Sequence, residues 1–220
     1  MKLYNLDNSP FAARVRIQIR HKKLPVEIVD PPIPLRSETF KDTFPLGKIP
    51  ILELENGATI CESTVIIDYL ESLYPSPALK PTDPLDNAYN SIKIRYADNH
   101  LASALSPLFA DFFSQAPIDE ETEKKLRQLK DEISKLERLL NQLSGLDQRD
   151  MQTGDICLST HLFYALEMAS WNGENELISA APAVKSWWEW IRKVPAVSLT
   201  ITEMAEAHKS LTRRLMESSL

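Results

Sequence analysis

The proline-crowded stretch Tyr74-Pro-Ser-Pro-Ala-Leu-Lys-Pro-Thr-Asp-Pro84 limits what this chain can fold into more than any other feature. Proline has no N–H to give to a helix or a strand ladder, so four of them after Tyr74 interrupt any regular element. The two parts on either side also differ in composition. Eleven of the fifteen prolines lie in residues 1–84, and all four tryptophans lie in residues 171–190. The expected organisation is a first domain over residues 1–75, a linker over 76–84 and a second domain over 85–220.

Strand and helix signals alternate before the linker. Lys2–Leu6 reads as a short strand. Ser9-Pro10 then opens a helix, because serine can accept from the orphan amides and proline is tolerated in the first turn. The β-branched run Val26–Val29 predicts a second strand, and Ser37–Phe44 a short helix. Ile51–Leu54 and Ala58–Cys61 flank Glu55-Asn56-Gly57, where Asn-Gly offers the positive φ angles of a tight hairpin turn. Ser63–Leu73 repeats apolar residues at helical spacing. The order is βαβ, a short helix, then ββα. Beyond Pro84 the patterns are helical throughout: Asn87–Phe113 with an expected kink at Pro107, residues 119–144, Asp155–Ala169, Ala183–Lys193 and Ile201–Met216. Leu126, Leu129, Ile133, Leu136, Leu140 and Leu143 form a heptad seam shorter than three heptads, which suits packing within a bundle.

Charge and cysteine usage narrow the function classes. Lys+Arg and Asp+Glu balance at 10 each over residues 1–80, while the remainder holds 15 against 21, so the net charge of −6 belongs to the second part. That argues against nucleic acid, whose phosphates need a basic surface. Arg14, Arg16, Arg20, Lys22 and Lys23 are expected to form a solvated helix face. The five glycines fit no dinucleotide or phosphate loop, and the four histidines and two cysteines form no metal-ligand spacing, so no metal is expected. The N-terminal residues carry charge where a secretion signal needs an apolar run, and no later segment has about 18 consecutive apolar residues. The expectation is a cytoplasmic protein with no membrane partner.

Three short blocks carry candidate chemistry. Gly47-Lys48-Ile49-Pro50-Ile51-Leu52 runs directly into a strand, and a cis Ile49-Pro50 bond would turn the Ile49 N–H and C=O outward to pair with an extended peptide ligand. Glu62-Ser63 stands at a strand-to-helix junction, where the Ser63 hydroxyl and first-turn amides suit a carboxylate and Glu62 suits an ammonium group. Ser9 sits between the first strand and its helix. A hydroxyl donor and the positive helix end there would stabilise a thiolate, whose parent thiol otherwise has a pKa near ~8.5. Taken alone, Ser9 reads as an ordinary helix cap.

Together, Ser9-Pro-Phe-Ala-Ala-Arg-Val-Arg16, Lys48-Ile-Pro-Ile-Leu52 and Glu62-Ser-Thr-Val-Ile-Ile-Asp-Tyr-Leu70 resemble, in order, the motifs of the glutathione transferase superfamily. Gly154-Asp155-Ile156, Pro182…Trp187 and Lys193-Val-Pro195 extend the likeness along the chain. The resemblance implies a thioredoxin-like α/β domain, an all-α C-terminal domain, a homodimer, and glutathione as co-substrate. It further implies that Lys48 meets the glycine carboxylate of glutathione, that Ile49 beside Pro50 pairs with its cysteinyl backbone, and that Glu62 and Ser63 hold the γ-glutamyl end. Ser9 falls where serine-type members keep the partner of the glutathione sulfur.

Ser9 stands where thiol-transferring members carry cysteine, which disfavours that chemistry, and Asn8-Ser9-Pro10 departs from the triplet of zeta-type isomerases. The implied reaction is conjugation of the glutathione thiolate to a small, largely apolar electrophile; isomerisation, peroxide reduction and ether or halide cleavage remain alternatives, as does a non-catalytic interaction module. Phe11, Phe109 and Phe113 are candidate walls of the electrophile site, and Asn8 an assistant to or substitute for Ser9. Tyr4, Cys61 and Cys157 are assigned to packing. Gln152 replaces the family's helix-capping serine or threonine, with Thr153 as a substitute cap.

Overall fold

The structure, a computed structural model, describes residues 1–143 and 149–217. Residue 144, the last of the helix expected over 119–144, lies outside them. Four short strands form the sheet: β1 (Lys2–Tyr4), β2 (Glu27–Val29), β3 (Ile51–Glu53) and β4 (Thr59–Cys61), in the order β2-β1-β3-β4. β1 and β2 are parallel with Leu3 opposite Ile28, as a helical crossover requires. β3 runs antiparallel to both β1 and β4, with Leu52 opposite Leu3 on one side and Ile60 on the other. In the β3–β4 hairpin only Gly57, at φ +82°, takes a positive angle. The turn is a three-residue connection closed by the Leu54 amide on the Ala58 carbonyl, rather than a two-residue Asn-Gly turn.

The connecting helices are α1 (Pro10–Lys22), α2 (Glu38–Thr43) and α3 (Ser63–Leu73). The chain is helical thereafter, through α4 (Pro84–Tyr96), α5 (Ala102–Ser114), α6 (Glu120–Asn141), α7 (Thr153–Trp171), α8 (Pro182–Ile191) and α9 (Pro195–Glu217). This is a thioredoxin-like α/β domain followed by an all-helical one. The single helix expected over Asn87–Phe113 is divided by a π-helical turn at Ala97–Leu101, and Pro107 lies inside α5. The α6 seam behaves as the spacing requires: Leu129, Ile133, Leu136 and Leu140 are buried, and α6 packs on α5 and α8. No helix among the described residues is long and apolar enough to cross a membrane.

The axis of the fold is α7, buried along most of its length. It crosses α4 so closely that a Cβ on Gly154 would lie 2.5 Å from the Asn90 carbonyl oxygen, while the Gly154 amide donates to Asn90 Oδ1 at 2.6 Å. Its N-terminus is held by Asp155, whose carboxylate accepts from the Gln152 amide at 2.9 Å. Thr153 is not the substitute cap: its hydroxyl donates to the Leu79 carbonyl.

The largest departure from expectation is α1. Arg14, Arg16 and Lys22 are buried rather than solvated. Arg14, Gln18 and Lys22 recur every fourth residue and so share one stripe of the helix. Gln18 donates to the Ile67 carbonyl, and Lys22 pairs with Glu71 at 2.8 Å. Arg16 and Arg20 turn toward α9, where both meet Glu203. The helix lies between the sheet and the helical domain, so most of its cations are matched by carboxylates from later in the chain, and Arg16 also by Asp7 just before the helix.

Candidate functional site

Two clefts open along the seam between sheet and helices, and they share one wall. Lys48, Ile49, Pro50, Glu62 and Ser63 line the first, with Phe11 and Leu46 beside them. The Ile49-Pro50 bond is cis. Neither the Ile49 amide nor its carbonyl has a protein partner among the described residues. Opposite them α3 begins. Glu62 precedes it with φ +67°, a region costly for a residue with a side chain. No side chain caps α3 and no acidic residue sits in its first turn, so its leading amides are free to meet an anion.

The second cleft lies between α1, α5 and α7. Phe11, Leu105, Phe109 and Phe113 make it predominantly apolar, with Asn8, His161 and Tyr164 as polar members. Phe109 meets the Tyr164 ring edge-on at 5.1 Å. The Tyr164 hydroxyl donates to the Asn8 carbonyl at 2.5 Å, fixing the loop before α1, and burial pushes its pKa up. Phe11 faces both clefts.

Known proteins share this architecture. The family model for the N-terminal domain of glutathione S-transferases matches residues 3–78. A probable glutathione S-transferase from Solanum tuberosum is 30% identical over 134 residues, spanning 60% of this chain and 61% of that protein. Glutathione S-transferase omega-1 from Sus scrofa is 28% identical over 211 residues, spanning 90% of this chain and 79% of the relative. Residues 3–78 thus resemble the N-terminal domain of glutathione S-transferases, and the likeness to the Sus scrofa relative runs over 90% of the chain. The fold agrees: a tau-class glutathione S-transferase from mango superposes with a TM-score of 0.79 at 23% identity over 96% of both chains.

Within this glutathione transferase fold, the five residues expected to hold glutathione share the first cleft, and all three expected aromatic wall residues line the second. Ser9 is in neither lining. Its hydroxyl accepts the Ala12 amide at 3.2 Å as the cap of α1, which leaves the O–H without a protein acceptor among the described residues. Asn8 reaches the second cleft. Tyr4 is buried, as packing requires, and its hydrogen bond to Glu53 is the main cause of a pKa pushed up to about 12. Cys157 is buried, with its thiol pushed up to about 11 by burial, whereas Cys61 is only half-buried and lines the first cleft.

The sequence reading missed a buried polar node behind Phe11. The Arg14 guanidinium stacks over the Phe11 ring at 4.9 Å and pairs with Asp98 at 2.7 Å. It also reaches Ser63 Oγ at 3.4 Å and His161 Nδ1 at 3.0 Å. Three elements far apart in sequence, the π turn, α3 and α7, thus converge on one cation of α1. The only prior signal was the fourfold polar repeat of α1, which an exposed face would show equally.

Proposed function

We propose that this protein is a glutathione-dependent transferase: the first cleft holds glutathione, and its thiolate attacks a small, largely apolar electrophile in the second. The observation that carries the reading is Phe11, which belongs to both walls, so that ligands seated in the two clefts meet across one side chain. Holding two reactants in contact converts a bimolecular step into an effectively unimolecular one.

Each end of glutathione has a partner of fitting chemistry. Lys48 takes the glycine carboxylate, and the unpaired backbone groups of Ile49 take the cysteinyl amide in the manner of an added strand. The uncapped amides of α3 and the Ser63 hydroxyl take the γ-glutamyl carboxylate, while Glu62 takes its ammonium group. The sulfur is assigned to Ser9. A hydroxyl that accepts the Ala12 amide still has its proton to donate, and the positive end of α1 adds to the stabilisation of the anion. Exposed apolar side chains on α3 and α4, Val65, Leu85 and Ile92 among them, fit the homodimer implied by the family. The free cysteines Cys61 and Cys157 fit a cytoplasmic location.

The test is a pH titration of the ultraviolet absorbance of bound glutathione thiolate in the parent protein and in Ser9→Ala, beside turnover of a generic aryl halide. The variant is expected to keep glutathione affinity within a few-fold, to raise the pKa of the bound thiol, and to lose conjugation rate in proportion to thiolate at neutral pH. Each unit of that rise is about 1.36 kcal/mol of lost preference for the anion. Coincident titration midpoints would make Ser9 a cap alone and turn attention to Asn8. A folded protein that neither binds glutathione nor turns over the halide would support an interaction module instead.

A further inference from the structure

The peptide link that leads into Ser9 is held from the helical domain by one side chain. Its N–H, that of Ser9, donates to the Leu6 carbonyl at 3.0 Å, and its oxygen, that of Asn8, accepts the Tyr164 hydroxyl at 2.5 Å. A peptide unit is planar, so holding both of its edges fixes the orientation from which the Ser9 side chain departs. The Ser9 carbonyl accepts the Ala13 amide at 2.9 Å and its hydroxyl the Ala12 amide at 3.2 Å, both from the first turn of α1. Arg16 donates to the Asp7 carbonyl at 2.8 Å, and it too belongs to α1. Of these bonds only the one from Tyr164 reaches across from α7; the others would move with the loop and α1 as one body. Tyr164 is built to hold a position. It is 2% exposed, with its ring set edge-on against Phe109 at 5.1 Å and against His208 at 5.6 Å. A carbonyl oxygen only accepts, so the phenolic proton is committed to Asn8. Burial raises the Tyr164 pKa, which keeps the hydroxyl a donor over the whole range in which a thiol titrates.

We propose that Tyr164 is a positioning residue for the thiolate: by fixing the Asn8-Ser9 peptide it aims the Ser9 hydroxyl at the glutathione sulfur. The inference rests on the conjugation reading and adds to it the group that sets Ser9. A hydrogen bond weakens steeply as its angle and distance depart from the preferred values, so a loosely placed hydroxyl gives up much of its preference for the anion. A donor held in place beforehand costs no reorganisation when the charge appears. Without the phenolic hydroxyl the Asn8 carbonyl loses its donor, and the peptide plane is free to turn and to carry the Ser9 side chain with it. The groups assigned to the two ends of glutathione stay as they are, because the first cleft is lined by neither Asn8 nor Tyr164. The effect therefore falls on the charge state of the sulfur rather than on the occupancy of the cleft. Tyr164 keeps its own proton throughout.

The experiment titrates the ultraviolet absorbance of bound glutathione thiolate in the parent protein, Tyr164→Phe, Ser9→Ala and the double variant, with turnover of a generic aryl halide followed against pH. Tyr164→Phe is expected to keep glutathione affinity within about twofold and to raise the midpoint of the bound thiol by no more than Ser9→Ala does. Its kcat/KM at neutral pH should fall by about two- to tenfold, the worth of one hydrogen bond. That deficit should close above the raised midpoint, where the thiolate forms unaided, whereas a merely structural fault would persist at every pH. The double variant should titrate with Ser9→Ala, because Tyr164 acts through a hydroxyl that is no longer there. Tyr164→Met, which also lacks the hydroxyl and fills the space with a flexible chain, must behave as Tyr164→Phe, so the proposal stays testable if one variant fails to fold. An unmoved midpoint in Tyr164→Phe beside a raised one in Ser9→Ala overturns this inference and leaves the conjugation reading standing. A further shift in the double variant overturns it as well, since Tyr164 would then act by another route. An unmoved midpoint in Ser9→Ala removes the role of Ser9 and this inference together, and a parent protein that binds no glutathione overturns the conjugation reading with them.

Discussion

Asp155 is the most heavily coordinated buried side chain of the helical domain, and replacing it with alanine should cost a large part of the fold's stability. Its carboxylate is fully buried, and accepts from Lys93 Nζ at 2.7 Å, from both terminal nitrogens of Arg149 at 2.7 and 2.9 Å, and from Trp187 Nε1 at 3.2 Å. It also accepts the Gln152 amide at the start of α7. Arg149 is partly exposed, so water can replace its lost partner, but the Lys93 side chain is 1% exposed and would keep only Gln152 Oε1 at 3.3 Å. Removing one member of a buried pair costs about 3–5 kcal/mol, and the unmatched amide and indole N–H groups push the expectation toward the upper half of that range. Against a typical stability of about 5–15 kcal/mol, Asp155→Ala leaves a marginal protein. The assay is urea unfolding at neutral pH, read by tryptophan fluorescence. A loss below about 1 kcal/mol with an unchanged dependence on urea would refute the assignment of a buried ionic hub. The pH dependence supplies a second check. Burial acts to raise the Asp155 pKa, but the Lys93 ammonium and the Arg149 guanidinium outweigh it and hold the carboxyl below its ordinary value. A group whose folded pKa is depressed contributes stability above its unfolded pKa of about 3.9, and that contribution is lost as pH falls through the folded value. The difference in stability between parent protein and Asp155→Ala should therefore be constant near neutrality and shrink in acid below about pH 4.

Glu62→Gln should raise the half-saturating glutathione concentration by an amount on the order of 1–2 kcal/mol in binding, because a charge-assisted bond to the ligand ammonium becomes neutral, while the unfolding midpoint stays where it was. Isothermal titration with a parallel urea melt checks both halves, and unchanged affinity would place the amino-acid end of the ligand elsewhere. Gly154→Ala should destabilise by about 1–3 kcal/mol, since its Cβ meets the backbone of α4 rather than a flexible side chain. A neutral result in thermal unfolding would mean that α4 and α7 separate more readily than their contact implies.

The parts of the site legible in sequence are those made by consecutive residues. Lys48-Ile49-Pro50 and Glu62-Ser63 are each fixed by one local junction, so their types and positions were readable, and they meet in one cleft because β3 and β4 are joined by a short hairpin. The aromatic wall was legible as apolar spacing on α5. The inward turn of Arg14, Arg16 and Lys22 was not. Whether a charged stripe meets water or a matching carboxylate depends on Asp98, Glu203 and Glu71, which lie on other elements. The π turn at Ala97–Leu101 went unread for a related reason: proline is visible in a sequence, whereas a π turn leaves no mark in composition.

The buried cations of α1 also bear on modularity. Arg14 draws its counter-charge from Asp98 and Arg16 part of its own from Glu203, so two of the charges needed to complete the thioredoxin-like half are encoded in the helical half. Grafting a different helical half onto the first would leave Arg14 without its carboxylate and Arg16 with Asp7 alone, unless the incoming sequence brought carboxylates to the same two places. The halves of this chain are therefore exchangeable only as electrostatically matched pairs, and a recombination library built on it should be filtered by those two acidic positions before any comparison of apolar surfaces.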